Sequence, residues 1–219
     1  GLWPRITSCS PKPMMKGMPV KSDDRSHRRR TSTSRAEAAN QIEAAFTQLP
    51  SSVAAVARRL VAMRWFNETA IAALAPENTP KEQQAQIAAT ITSLPFVKRV
   101  SEGYAYPRLA RQGLLDRYQR ERPDELKAAC KAAATALAES FEDDTSAVET
   151  FYCAVAAGET KDAHNQLHDL VNRFLARQDW EWCRVLHTAL ADAEALSFVQ
   201  PLPCTGDYYV MRGMAQAAQ

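Results

Sequence analysis

The sequence predicts a mainly α protein with one small β-hairpin: a helical unit that ends in the hairpin, then antiparallel helix pairs. Three observations carry that prediction. From Arg35 onward, alanine-rich stretches place apolar residues three and four apart, the spacing of a buried helix face. Only one stretch, Phe96 to Tyr106, alternates with period two and holds the β-branched and aromatic residues of a ribbon. The breaks between segments are short and rich in Pro, Gly or acid, so neighbouring helices run antiparallel. At 219 residues, 46% hydrophobic and 24% charged, the chain can build a core of its own.

Residues 1–34 are expected to be a disordered basic tail or an appended segment. Pro4, Pro11, Pro13 and Pro19, the run His27-Arg28-Arg29-Arg30 and Thr31-Ser32-Thr33-Ser34 leave little apolar surface to bury. A solvated tail is the plainest reading. The run could also serve as a nuclear-localisation signal, an organellar presequence or a kinase site.

The first unit spans 35–121. Its opening helix, from Arg35 to Gln48, turns Ile42, Ala45, Phe46 and Leu49 to one side, and Pro50 stops it. Ser51 or Ser52 caps the next, Val53–Met63, and Asn67 caps a short helix carrying Ile71 and Leu74. Thr79-Pro80-Lys81-Glu82 reads as a capping box for a helix that buries Ile87, Ile91 and Leu94 before Pro95. The hairpin turns at Ser101-Glu102-Gly103, and Pro107 opens a helix to Tyr118 with Leu109, Leu114 and Leu115 on its core side. Three helices followed by a two-stranded hairpin is the order of a winged helix. The second unit, 122–219, is expected to hold helices at 124–140, 145–157, 161–178, 180–196 and 206–217. Stacked in pairs, they suggest a tetratricopeptide-like array, although no clean 34-residue period is present.

Several function classes are excluded or disfavoured. None of the seven glycines begins a G-x-x-x-x-G-K-[ST] or G-x-G-x-x-G motif, so the sequence carries no phosphate cradle. No nucleophile elbow is present, and Glu142-Asp143-Asp144 reads as a helix-start turn, so no enzyme and no cofactor are expected. His164 and His168 have ligand spacing, but Asn165 stands where a metalloprotease base would be; surface histidines are the reading, with no metal. The five scattered cysteines (Cys9, Cys130, Cys153, Cys183, Cys204) read as small buried hydrophobes in a reducing compartment. That places the protein in the cytoplasm, or in the nucleus or an organelle if the basic run acts as an address. No apolar run is long enough for a membrane span.

Charge narrows the partner. Residues 1–35 hold nine Lys or Arg against two Asp, leaving 18 against 23 for the rest, so the folded body is not a polyanion binder by composition. Its one basic concentration, 98–122, has seven cations and three acids, whereas 123–196 has six and fourteen. A DNA-reading winged helix places cations on the helix before the wing, yet Lys81–Leu94 offers one Lys and one Glu beside Gln83, Gln84 and Gln86. The favoured function is therefore a non-catalytic protein-interaction or regulatory module. Lys98, Arg99, Arg108 and Arg111 are candidates for one docking face and Trp180 for another. Trp182, two positions on, falls with Val185, Leu186 and Ala189 as core. The alternatives are a winged-helix nucleic-acid binder using the hairpin and tail, and a structural subunit of a larger assembly.

Trp65-Phe66, Leu94-Pro95-Phe96-Val97, Tyr104-Ala105-Tyr106-Pro107-Arg108-Leu109-Ala110-Arg111 and Leu114-Leu115 together resemble the winged-helix region of STAND-type signal-transduction ATPases. Arg122-Pro123-Asp124-Glu125-Leu126-Lys127 and the later helices resemble the tetratricopeptide-like array that follows it there. The resemblance covers residues 51–196 and implies a domain that docks on, or restrains, a nucleotide-binding core. The His-Asp pair that senses nucleotide in that family falls on Pro107 and Arg108, and the P-loop module has no counterpart in this sequence. What the resemblance leaves is a regulatory or docking part without the motor.

Overall fold

A computed structural model describes residues 24–100, 103–139, 143–196 and Gly213. The described residues are mainly helical with one small antiparallel ribbon, in keeping with the hydrophobic spacing. Helix α1, Asp24–Phe46, starts eleven residues before the expected Arg35. Residues 1–23 and the helix expected at 206–217, apart from the helical Gly213, lie outside the described residues. α1 contributes Ala39, Ile42 and Phe46 to the core.

After Pro50, α2 (Ser51–Arg59) buries Val53, Ala54, Val56 and Ala57 and tightens into a 3-10 turn at Leu60–Ala62. Asn67 caps α3 (Glu68–Ala73), its Oδ1 accepting the Ala70 N–H at 2.9 Å. The capping box expected for α4 (Lys81–Thr92) does not form. Pro80 occupies the cap position, and the Thr79 hydroxyl turns back to donate to the Pro76 carbonyl at 2.6 Å.

β1 (Lys98–Val100) pairs antiparallel with β2 (Gly103–Ala105), Arg99 facing Tyr104 and Lys98 facing Ala105. Phe66 adds a single bridge on the far side of β2, its N–H and C=O exchanging hydrogen bonds of 2.8 Å with Tyr104. That contact explains Gly103: its φ is +148°, and a Cβ there would stand 2.5 Å from the Phe66 carbonyl oxygen. Beneath the ribbon the Tyr106 ring meets Phe46, Phe66 and Phe96 at 5.9, 5.3 and 6.1 Å, and its hydroxyl donates to the Ala57 carbonyl at 3.0 Å. Aromatic packing ties the hairpin to α1, and the Tyr106 hydroxyl ties it to α2.

α5 (Arg108–Glu121) lies along α1, and Gly113 permits the approach, since a Cβ there would stand 2.4 Å from the Arg35 carbonyl oxygen. The last four helices are α6 (Pro123–Glu139), α7 (Asp144–Ala157), α8 (Thr160–Arg177) and α9 (Trp180–Glu194), each starting within one residue of expectation. Asp143 caps α7 by accepting the Ser146 N–H at 2.6 Å, the role read for that acidic turn.

α7 is the centre. Every residue from Ser146 to Ala156 is buried, and α6, α8 and α9 all pack on it. A helix enclosed on every side must be mostly apolar and must pair the polar groups it carries. α2 and α3 reach α6 as well, and one continuous cluster of buried side chains runs across residue 122. The two expected units therefore share a core.

Candidate functional site

The docking residues read from the sequence separate in space. Lys98 and Arg99 are exposed, but successive residues of a strand point to opposite faces, so they cannot serve one surface together. Arg99 lies on the Tyr104 side and Lys98 on the Ala105 side. Arg108 is exposed in the first turn of α5, next to Leu109, which was expected on the core side but is 49% exposed. Trp180 opens α9 and is 37% exposed, while Trp182 stacks on Phe174 at 5.7 Å and packs against the core.

Arg111 corrects the sequence reading. Its side chain is buried, with the residue 8% exposed, and is unavailable to a docking face. Nε donates to the carbonyls of Val61 and Met63 at 3.1 and 2.5 Å, and Nη2 donates to the Ala62 carbonyl and the Tyr152 hydroxyl at 3.0 and 2.7 Å. The signal was present: 111, 114, 115 and 118 follow the i, i+3, i+4, i+7 stripe of the core face. An arginine there must find acceptors inside, and the end of the 3-10 turn supplies three carbonyls.

A second buried charge was missed. Glu149, at 0% exposure in the middle of α7, accepts the Arg64 backbone N–H at 2.7 Å and its Nε at 2.9 Å. Arg64 and Arg111 both stand over the Tyr152 ring, at 5.2 and 5.5 Å. Burial pushes the Tyr152 hydroxyl and the Cys153 thiol well up, and the Cys130 thiol up to about 12. Cys130, Cys153 and Cys183 are all buried free thiols, as expected, and their shifts favour the unreactive protonated form. Cys9 and Cys204 lie outside the described residues.

His168 is exposed and lies 3.2 Å from the Asn172 amide nitrogen, while the Nδ1 of His164 is buried. Among the described residues no three His, Cys, Asp or Glu side chains converge to hold a metal ion. No described helix is long and apolar enough to cross a membrane. No family model, curated protein or solved structure matches this chain.

The geometry thus separates two kinds of arginine. Arg64 and Arg111 tie the segment after α2, and α5, to α7; both act inside. Arg99, Arg108 and Lys98 remain outside, with Leu109 the large apolar side chain among them. The exposed face of α4 offers Lys81, Glu82, Gln83 and Gln86, a near-neutral set with little to neutralise phosphates.

Proposed function

We propose that this chain is a non-catalytic protein-interaction or regulatory module, a winged-helix-like unit continuing into antiparallel, repeat-like helices, that docks a protein partner or an associated ATPase. The observation that carries the reading is the exposure of Leu109 beside Arg108, with Trp180 the other large exposed apolar side chain of the described residues. Exposed aromatic and arginine side chains are the types enriched where partners bind. The order α2, Phe66 bridge, α3, α4, ribbon supports the winged-helix part of the proposal. The shared core supports a rigid platform, which costs less to order on binding than a flexible one. Buried free thiols support a reducing, cytoplasmic setting.

The test is photo-crosslinking in the native cell with a benzophenone amino acid at Leu109 and, separately, at Trp180. Discrete adducts of fixed mass are expected, with the Leu109 adduct lost when Arg108→Glu is added. A chain that forms no adduct at either position is not a docking module. Nucleic-acid binding stays the second reading because Lys98, Arg99 and Arg108 are exposed. It requires duplex affinity that falls steeply between about 50 and 200 mM salt and survives removal of residues 1–35.

A further inference from the structure

A third group of arginines belongs to neither the buried latch nor the hairpin surface. Arg58 and Arg59 at the end of α2 and Arg122 at the junction of α5 and α6 line one cleft of about 360 Å³, together with Tyr118 and Glu125. That volume lies within the range of sites that take small ligands, about 300–1,000 Å³. Ala55, Leu126 and Ala129 give the cleft an apolar wall.

The three guanidinium groups are held in place but leave most of their hydrogen-bonding capacity unused. The Arg58 Nε donates to Glu43 Oε1 at 2.8 Å, and its Cζ lies 6.0 Å from the centre of the Phe46 ring. The other oxygen of Glu43 is taken by the Tyr118 hydroxyl at 2.5 Å. Arg59 donates Nη1 to the Leu74 carbonyl at 2.9 Å. Arg122 stacks its Cζ 5.9 Å from the Tyr118 ring centre, and Glu125 is 3.9 Å away, outside hydrogen-bond range. Each guanidinium carries five N–H donors. Arg58 gives one donor to Glu43 and also interacts with the Tyr118 hydroxyl, Arg59 gives one donor to Leu74, and the Arg122 guanidinium makes only the long 3.9 Å ion pair. Against three cations stand Glu43, already doubly engaged, and Glu125, loosely placed at the rim.

We propose that this cleft binds an acidic peptide segment, whose carboxylate or phosphate oxygens take the free donors of Arg58, Arg59 and Arg122. Planar guanidinium forks match such oxygens bidentately, and side chains already fixed by stacking lose little freedom on binding. The apolar wall accommodates the aliphatic part of the peptide's side chains. This site goes beyond the docking surface proposed above and shares no residue with it, so either can fail without the other.

Fluorescence anisotropy on the full chain tests it, with a labelled glutamate-rich octapeptide and the same peptide carrying phosphoserine. Arg59→Ala with Arg122→Ala is expected to weaken binding tenfold or more. Lys98→Ala with Arg108→Ala, an equal loss of charge elsewhere, leaves it within twofold. Glu125→Gln tightens binding two- to threefold, because it removes the carboxylate that competes for Arg122 in a long 3.9 Å ion pair. Arg122→Gln alone, which breaks no hydrogen bond within the fold, shows a fivefold loss with an unchanged unfolding midpoint. Equal losses in the two double variants, or binding indifferent to both, overturn the proposal. Tenfold preference for phosphoserine, with competition by inorganic phosphate, identifies phosphate as the oxyanion source; equal binding of the two peptides identifies carboxylate.

Discussion

α7 is enclosed from Ser146 to Ala156, whereas α4 commits only Ile87, Ala88 and Ile91 to the core and keeps most of its other side chains in water. The enclosed helix cannot leave a polar group to the solvent, so each of its polar side chains has a partner inside. Glu149 has Arg64, Tyr152 has Arg111, and the Thr150 hydroxyl donates to the Ser146 carbonyl at 2.8 Å. An unpaired buried donor or acceptor costs about 1–3 kcal/mol, so these pairings are obligatory for the fold. α4 meets no such demand. Its exposed Gln83 and Gln86 face water and need no partner in the protein.

The comparison breaks most visibly at Glu149. Arg64→Met removes the charge paired with that carboxylate and leaves it a main-chain N–H and the more distant Arg111, and a loss of about 3 kcal/mol is expected from urea unfolding. Gln86→Ala on α4 is expected to stay within about 0.5 kcal/mol. Similar costs for the two would remove the distinction. A smaller effect is expected at the α1–α5 contact. Gly113→Ala drives a methyl against the Arg35 carbonyl and costs about 1–3 kcal/mol. Hydrogen exchange should then quicken in residues 35–46 of α1 while α7 stays protected.

The smallest effect is acid sensitivity at the same contact. Burial pushes the Glu43 carboxyl up, but the Tyr118 hydroxyl and Arg58 outweigh it, so its pKa is lowered overall. A carboxylate depressed in the folded state contributes fully above its ordinary value of about 4.3, and that contribution fades as pH falls through the lower folded value. Stability measured from about pH 5 down to pH 3 should therefore fall less steeply for Glu43→Gln than for the parent chain. An identical slope would mean that Glu43 adds nothing to holding α1.

Much of the architecture was legible because it is local. The starts of α6 to α9 follow from Pro123 and from the acidic and glycine-containing breaks after it, and Asn67 and Asp143 announce their caps. What stayed hidden is tertiary. Thr79 looked like a cap until Pro80 took that position. Arg111 looked like a surface charge because its acceptors, the carbonyls of Val61, Ala62 and Met63, lie some fifty residues away. The cleft of Arg58, Arg59 and Arg122 left no motif, since its residues come together only when α2 meets the end of α5. Of the residues read as docking candidates, Lys98, Arg99, Arg108 and Trp180 lie at the surface.

The Phe66–Tyr104 bridge also bears on strand pairing between copies of this chain. A two-stranded ribbon has two edges, each able to recruit another strand. One hydrogen-bonded residue, Phe66, closes the β2 edge where Tyr104 offers its N–H and C=O. The other edge is β1, three residues long and carrying Lys98 and Arg99, and two like ribbons meeting there would bring cation against cation. A single bridge on one side and two charges on the other thus leave the described sheet without an open, uncharged edge.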